Sequence, residues 1–194
     1  MDMAFDATGE VSDEALLVLY ANGDRDAARF LTLRLVPRVL RVAARMLGDA
    51  AEAEDVAQEA MLRLWRVAPE WRQGEAQVST WLYRVAANLC TDRLRRRRGL
   101  ALDEVAEPED GRPSAVEGMI AADRATALQA ALDALPERQR QAVILRHLEG
   151  LTNPEIAQVM EIGVEAVESL TARGKRALTA MLAGRREELG YGHG

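Results

Sequence analysis

The stretch from residue 151 to residue 178, LTNPEIAQVMEIGVEAVESLTARGKRAL, restricts the possible fold more than any other part of the sequence. Thr152 is a helix-capping residue type, and Glu155 follows three positions later, which completes the pattern of a capping box. Gly163 suits the N-cap of a second helix, with Ile162 in the turn before it. Two inward rows at helical spacing flank this turn: Ile156, Ala157 and Met160, then Val164, Val167, Thr171, Gly174 and Leu178. The pattern predicts a helix, a tight turn and a second helix.

The rest of the chain also carries apolar residues at helical rather than alternating spacing. Aromatic residues make up only 4% of it, and Ala, Leu, Arg and Glu dominate, which favours helix over sheet. Ser12 or Asp13 suits the N-cap of a first helix. Pro37 predicts a kink or break in the second helix, and Leu135-Pro136 predicts a break between two later ones. The sequence therefore predicts an all-α fold.

A segment without periodicity divides these helices into two groups. Residues 99–116, GLALDEVAEPEDGRPSAV, combine many acids with two prolines and two glycines, a composition typical of linkers. We therefore predict two small helical domains, 11–98 and 117–183, joined by a flexible acidic linker over 99–116. Residues 184–194 are predicted to form a tail.

Charge is sorted into blocks along the chain, although the net charge of the whole is −6. Residues 84–98 contain six Arg against one Asp, whereas residues 103–123 contain seven acids against one Arg. The basic block lies on a helix predicted over about 79–97. The apolar stripe expected to be buried on this helix is Leu82, Val85, Ala86 and Leu89. The other face presents Trp81, Arg84, Asn88, Thr91, Asp92 and Arg95.

The side chains of that other face suit nucleic acid. Arginine binds phosphates and guanine, and Trp81 together with Tyr83 offers a flat surface on which an unpaired base can stack. A solvated helix end, favoured by the helix macrodipole, is the alternative. Five Arg within the six positions 93–98 exceed what a helix dipole needs, so an electrostatic footprint for nucleic acid fits better. Arg96 to Arg98 suit phosphate contacts that are independent of base sequence.

The second helix of the 151–178 pattern suits insertion into the major groove of DNA, as in a helix-turn-helix. Its outward positions are Glu165, Glu168, Ser169, Ala172, Arg173 and Arg176. Carboxylates accept a hydrogen bond from cytosine N4, and arginine binds guanine or phosphate. A generic helical hairpin is the alternative, and the two acidic residues on the reading helix are the main point in its favour.

Several other classes of protein are disfavoured. Cys90 is the sole cysteine, which excludes an intramolecular disulfide, and His147 and His193 stand far apart, so no metal-ligand cluster is expected. No apolar run reaches the roughly 18 residues that span a bilayer, and the N-terminus lacks the pattern of a signal peptide. We expect a cytoplasmic protein with no membrane insertion, no metal and no cofactor.

With these patterns together, the chain resembles a bacterial RNA polymerase sigma factor of the extracytoplasmic-function (ECF) subgroup. In the first domain, GDAAEAEDVAQEAMLRLWR and GEAQVSTWLYRVAANLCTDRLRRRR look like the family's conserved region 2. In the second, ALDALPERQRQAVILRHLEGLTNPEIAQVMEIGVEAVESLTARGKRAL looks like region 4. The resemblance covers about residues 12–182, and the order and spacing of these segments make it specific.

The resemblance implies that the first domain binds core RNA polymerase and opens promoter DNA. The positions that match contacts to a coiled coil of the largest polymerase subunit are Asp55, Gln58, Glu59, Arg63 and Trp65. The positions that match capture of the minus-ten element are Trp71, Gln77, Trp81, Arg84, Asn88, Arg95 and Arg96. Opening requires only that the protein bind the single-stranded state better than the duplex.

For the second domain, the resemblance implies that the helix-turn-helix reads the minus-thirty-five element as duplex. The residues expected to contact it are Thr152, Glu165, Glu168, Ser169, Arg173, Lys175 and Arg176. The family usually works under an anti-sigma factor and in stress responses, so the implied partners are core polymerase, promoter DNA and an anti-sigma factor. No enzymatic activity is implied.

The sequence departs from the family's pattern at three places. Gln77-Val78 stands where many relatives carry an aromatic residue in the loop, so base capture would rely on other groups. Glu161 stands where the helix-turn-helix commonly has glycine, which predicts a strained or differently shaped turn. Glu168 and Leu170 occupy positions of the reading helix that are often basic, which lowers the expected phosphate affinity.

Two other functions compete with this interpretation. A free-standing helix-turn-helix regulator would normally dimerise and would bind duplex DNA unaided, but nothing in the N-terminal half looks like a ligand pocket or phosphoacceptor site. An enzyme acting on nucleic acid is suggested by Glu52, Asp55 and Glu59, which share a helix face. Because no histidine accompanies them, a face that is solvated or binds a partner is the simpler interpretation.

Overall fold

The structure is a computed structural model, and it describes residues 11–72, 74, 77–101 and 116–183. Within these ranges every regular element is a helix, which confirms the predicted all-α fold. The chain forms two compact units. Each unit has its own set of buried side chains, and the two are described in turn.

The first unit is built on three helices and the first part of a fourth: α1 (Asp13–Ala21), α2 (Arg25–Leu47), α3 (Ala50–Val67) and α4 (Val78–Ala101). The first three begin after a capping side chain, because Ser12, Asp24 and Asp49 accept hydrogen bonds from N–H groups of the following turn. Gly48, in the left-handed conformation, ends α2 and turns the chain into α3. A 3-10 turn, Ala68–Glu70, follows α3.

Helix α2 continues through Pro37 without interruption, so of the two predicted outcomes, a kink or a break, the break is wrong. Pro37 is exposed, whereas Leu35 and Val39 on either side of it are buried, and α2 packs along α3. Burial of each such side chain stabilises the unit by about 1.5–3 kcal/mol, which offsets the roughly 3 kcal/mol that proline costs inside a helix. Packing therefore keeps the helix continuous across a residue that by itself favours an end.

The buried side of α4 is rotated from the predicted stripe. Leu82 and Ala86 are buried as predicted, but Val85 and Leu89 are only half-buried. The buried residues outside the predicted stripe are Val78, Thr80, Tyr83, Ala87, Cys90 and Leu94. Alanine and cysteine are often fully buried, and their small side chains allow close helix packing. Small residues therefore form part of the buried side of α4, together with Leu82, Tyr83 and Leu94.

The second unit is built on α5 (Val116–Asp133), α6 (Glu137–Val143), α7 (Asn153–Met160) and α8 (Val164–Ala183). The chain breaks between α5 and α6 at Leu135-Pro136, as predicted, and α6 continues into a π-helical turn, Ile144–Leu148. Gly174 of α8 lies against α6: a Cβ there would stand 2.6 Å from Val143 Cγ2 and 3.2 Å from the Gln139 carbonyl oxygen. The glycine therefore permits the close approach of α6 and α8.

The bounds of the predicted linker are only partly described. Helix α4 extends to Ala101, past its predicted end near Arg97, because Leu100 and Ala101 are good helix formers. The rest of the linker up to residue 115 and the tail 184–194 lie outside the described residues. The domain bounds 11–98 and 117–183 therefore stay a prediction.

Candidate nucleic-acid interface

Helix α7 begins with the capping box that the sequence predicts. The hydroxyl and the N–H of Thr152 both donate to Glu155 Oε2, at 2.6 and 2.7 Å. The Glu155 N–H in turn lies 3.5 Å from the Thr152 hydroxyl oxygen. These hydrogen bonds hold the pKa of Glu155 below its usual 4.5, and the bond from the Thr152 hydroxyl has the largest effect. The capping box is thereby confirmed.

The turn between α7 and α8 contains a strained residue. Glu161 ends α7 in the left-handed conformation, with φ 53° and ψ 49°, and among the described residues no other non-glycine residue has a positive φ. Such a conformation costs a residue with a Cβ about 1–2 kcal/mol, which confirms the predicted strain. The Gly163 carbonyl then accepts from the Ala166 and Val167 N–H groups at 3.1 and 3.2 Å, as an N-cap carbonyl does.

The outward side of α8 carries most of the residues predicted to contact the minus-thirty-five element. Those exposed on it are Glu165, Glu168, Ser169, Arg173 and Arg176, and Thr152 is exposed at the start of α7. Val167 and Gly174, on the inward side, are buried. The Asn153 side-chain amide donates to Glu168 Oε1 at 3.4 Å, which links the first turn of α7 to the second turn of α8. Lys175 is exposed but lines a groove away from this side.

Four residues predicted to contact the minus-ten element lie along one side of α4: Trp81, Arg84, Asn88 and Arg95. Asn88 and Arg95 are exposed, whereas Trp81 and Arg84 are half-buried. Two further predicted contacts, Arg96 and Gln77, are also exposed. Arg96 lies next to this side of α4, and Gln77 stands just before the helix. The side lies opposite the buried row of α4, so the structure brings these residues together on one surface.

An aromatic pair marks the start of α4. The rings of Trp71 and Trp81 meet edge to face, with centroids 5.9 Å apart. Tyr83, in contrast, is only 5% exposed. The prediction that Tyr83 offers a stacking surface to an unpaired base is therefore wrong, because Tyr83 belongs to the buried row of the helix.

The residues predicted to bind polymerase lie on α3. Asp55, Gln58 and Arg63 are exposed, and Arg63 Nε donates to Glu59 Oε1 at 2.8 Å. This hydrogen bond holds the pKa of Glu59 below its usual 4.5. Trp65 is half-buried, and its ring lies against that of Tyr20 in α1, with centroids 4.6 Å apart.

A groove of about 370 Å³ lies between α2 and α3, beside these residues. The side chains that line it are mostly apolar: Val36, Leu40, Ala57, Met61, Leu62 and Trp65, with Thr32, Glu54 and Gln58. Leu62 is 42% exposed, and Leu33 of α2 is 61% exposed. Neither leucine was among the predicted site residues. A leucine on the polar side of an amphipathic helix is the signal that could have identified them.

The second unit has an apolar groove of its own, of about 210 Å³, between α5, the π-helical turn and α8. Its lining residues are Leu128, Leu132, Val143, His147, Leu148, Lys175, Leu178, Thr179 and Leu182. Desolvation of the imidazole lowers the pKa of His147 below its usual 6.5, and the positive charges of Lys175 and Arg146 lower it further. Apart from Lys175, no predicted site included these residues.

Two other features, a metal site and a membrane-spanning helix, are absent from the described ranges. No group of three His, Cys, Asp or Glu side chains within them could hold a metal ion. No helix in the described part is both long and apolar enough to cross a bilayer. Cys90, the sole cysteine, is buried.

Comparison with known proteins accounts for both units. Residues 31–99 match the family described as Sigma-70 region 2, and residues 125–178 match Sigma-70, region 4. The chain is 34% identical to the ECF RNA polymerase sigma factor SigE of Mycolicibacterium smegmatis, over 90% of this chain and 70% of SigE. It is 31% identical to the RNA polymerase sigma-H factor of Pseudomonas aeruginosa, over 88% of this chain and 93% of that relative.

The fold is also found among solved structures. The sigma factor RpoE of Bartonella quintana, crystallised with the anti-sigma factor NepR, is 19% identical to this chain with a TM-score of 0.66, over 80% of this chain and 96% of RpoE. The two sequence regions occur in the expected order, and the relatives match over most of their length. The chain belongs to the ECF RNA polymerase sigma factors.

Proposed function

We propose that this chain binds core RNA polymerase and directs it to promoters by contacting two separate DNA elements. The observation that carries the proposal is that one chain has two different surfaces suited to DNA. One is the outward side of α8 in a helix-turn-helix, and the other is the tryptophan and arginine side of α4. A helix-turn-helix suits duplex, whereas stacking side chains beside arginines suit an unpaired strand. A sigma factor is not an enzyme, so no chemical step is assigned.

We assign polymerase binding to the outer side of α3 and the groove beside it. An apolar centre with a polar rim is the usual composition of a protein interface. Leu62 and Trp65 supply the apolar centre, and Asp55 and Gln58 supply part of the rim. Arg63, held by Glu59, presents an oriented guanidinium at the same surface.

We assign capture of the minus-ten element to α4 and the residues before it. Stacking of a base on an aromatic side chain contributes about 1–3 kcal/mol, and the Trp71–Trp81 pair offers such a face. The amides of Asn88 and Gln77 can hydrogen-bond to the edge of an unpaired base. The arginines proposed to contact the minus-ten strand are Arg84, Arg95 and Arg96. Preferential binding of the single strand shifts the equilibrium toward open DNA.

We assign reading of the minus-thirty-five element to α8. Glu165 and Glu168 stand in its first two turns, where a recognition helix meets base edges, and a carboxylate there accepts a hydrogen bond from cytosine N4. Arg173 and Arg176 stand one or two turns later and suit guanine or phosphate. The hydroxyls of Thr152 and Ser169 add phosphate contacts. Lys175, in the groove lining, is the least suited of the predicted contacts.

We also propose that the chain works in the cytoplasm under an anti-sigma factor, in a stress response. Exposed apolar surface marks sites of protein association, and each unit has an apolar groove with a partly exposed leucine, Leu62 or Leu148. The fold is shared with the RpoE of Bartonella quintana, which was crystallised with its anti-sigma factor. A partner seated in the groove between α2 and α3 would compete with polymerase.

Reconstituted transcription tests the proposal. The purified chain is mixed with core polymerase and a library of randomised promoters, and the start sites and upstream sequences of the transcripts are determined. We expect two shared upstream elements, found only when both components are present. In parallel, a gel-shift assay without polymerase should show no sequence-specific binding to duplex. Failure to select any promoter would contradict the proposal, and specific duplex binding by the free chain would favour a free-standing regulator.

A further inference from the structure

Helix α1 contacts both ends of the segment that joins α3 to α4. Before that segment, the 3-10 turn Ala68–Glu70 packs against α1. After it, the Val78 N–H donates to Glu14 Oε1 at 2.9 Å, across 64 positions of the sequence. Val78 is the first residue of α4 and is buried. The start of α4 is therefore held by a carboxylate from another helix.

The hydrogen bond from Val78 does for α4 what local caps do for the other helices of this unit. The first N–H groups of a helix have no acceptor within the helix. Ser12, Asp24 and Asp49 supply acceptors to α1, α2 and α3 from the position just before each helix. The residue just before α4 is Gln77, which is not an N-cap type. A carboxylate near a helix N-terminus is also favoured by the macrodipole.

Glu14 is itself held in place, because α1 is tied to α2. Arg34 of α2 donates through one guanidinium nitrogen to the Val11 carbonyl at 2.7 Å and to Asp13 Oδ1 at 3.3 Å. Leu16 and Leu17, just after Glu14, are fully buried. The cap on α4 therefore comes from a helix that is itself anchored to α2.

The residues nearest this cap are those proposed to capture the minus-ten strand. Gln77 precedes Val78, and Trp81 stands three residues after it and meets Trp71. We propose that Glu14 is a positioning residue for promoter opening, which fixes the first turn of α4 and thereby the orientation of Trp81 and Gln77. This inference rests on the function proposed for α4. Glu14 acts through the Val78 N–H and need not touch DNA.

Hydrogen exchange in the full-length chain tests the cap directly. Glu14→Ala removes the acceptor, and Glu14→Gln keeps a side-chain oxygen that can accept the same bond. Asp26→Ala is the matched control, since it removes an exposed carboxylate from the same unit and leaves both the Val78 bond and the bonds that tie Arg34 to α1. We expect the Val78 amide to exchange at least about fivefold faster in Glu14→Ala, the size of effect expected for a lost cap. Exchange should be unchanged in Asp26→Ala and intermediate in Glu14→Gln. Unchanged exchange in Glu14→Ala would overturn the inference.

The holoenzyme tests the consequence for opening. On a promoter selected by the wild-type holoenzyme, the open-complex yield is measured by permanganate reactivity, and core affinity is measured separately. We expect Glu14→Ala to lower the opening equilibrium constant about fivefold at unchanged core affinity, with partial rescue in Glu14→Gln. A merely structural role would lower core binding and opening together. Equal opening by Glu14→Ala and Asp26→Ala would overturn the positioning role alone. A wild-type holoenzyme that selects no promoter would overturn the proposed function, and this inference with it.

Discussion

At Glu161 the chain turns from α7 to α8 in a conformation that glycine adopts without penalty. We expect Glu161→Gly to have a free energy of unfolding about 1 kcal/mol higher than that of Glu161→Ala. Both variants lose the same carboxylate, but only alanine keeps the Cβ that the left-handed backbone disfavours. Urea denaturation followed by circular dichroism measures the difference. Equal stability of the two variants would show that the turn stores no strain.

At Gly174, a single added methyl group should lower the stability of the chain. Its Cβ would stand 2.6 Å from Val143 Cγ2, and the Gln139 backbone leaves little room for adjustment. We expect Gly174→Ala to lower the free energy of unfolding by about 1–3 kcal/mol, the usual cost of overpacking. Thermal unfolding measures the effect.

Gly99 provides the matched control for that substitution. It is also helical, but a Cβ there would meet nothing within 4 Å. Gly99→Ala should raise the stability of the chain by about 0.5–1 kcal/mol, because alanine loses less backbone entropy than glycine in a helix. If the two alanine variants proved equally stable, the close approach of α6 and α8 would not depend on Gly174.

Among the elements, α7 carries a stability contribution that depends on pH. Glu155 has its pKa lowered in the folded chain by hydrogen bonds from Thr152. A carboxylate with a lowered pKa stabilises the fold above its unfolded pKa, near the usual 4.5, and loses that contribution as pH falls through the folded pKa. We expect the stability difference between wild type and Glu155→Gln to be constant near neutral pH and to shrink below about pH 4.5. Denaturation of both proteins across this range measures the difference, and a constant difference would contradict the assignment.

A substitution on the outer side of α4 should impair DNA opening without impairing polymerase binding. Asn88 is exposed on its outer side, opposite the buried row, so Asn88→Ala should change the free energy of unfolding by less than about 0.5 kcal/mol. We expect the variant to open a selected promoter less well, by a factor of about 5–30 if one hydrogen-bonded contact is lost. Core affinity, measured in the same preparation, is the internal control. An unchanged open-complex yield would remove Asn88 from the DNA contacts.

For the whole molecule, the net charge of −6 opposes binding to DNA, which the arginines of α4 favour. Acidic groups elsewhere repel phosphates at long range, so the free chain should bind non-specific duplex weakly, with a Kd no tighter than about 10⁻⁴ M near physiological salt. The holoenzyme should bind promoter DNA far more tightly and with a steep salt dependence. Fluorescence anisotropy across a salt series compares the two. Tight binding by the free chain would mean that polymerase is not needed to present α4.

The helices and their ends were largely predictable because the signals are local. A capping box needs residues only three apart, and Thr152 with Glu155 forms it as predicted. The break at Leu135-Pro136 depends on two adjacent residues. The inward and outward sides of α8 follow from one apolar row, and burial agrees with it. The predicted roles of its outward residues in reading DNA stay predictions.

The rotation of α4 could not be predicted in the same way. Successive residues turn about 100° around a helix, so the row containing Val85 and Leu89 and the row containing Tyr83 and Cys90 lie about 130° apart. Both rows have a helical period, and only the neighbouring helices decide which of them is buried. The choice removed Tyr83 from the candidate stacking surface. The groove that exposes Leu62 depends on packing for the same reason.

By itself, the sequence determined that the chain is helical, where most helices begin and end, and which family's two regions it contains. These properties depend on periodicity and on interactions within a few residues. The tertiary structure alone decided that α2 continues through Pro37, that Gly174 lies against α6, and that Glu14 caps α4. Each of these depends on groups distant in sequence, whose meeting is set by the packing of whole helices and not by local preference.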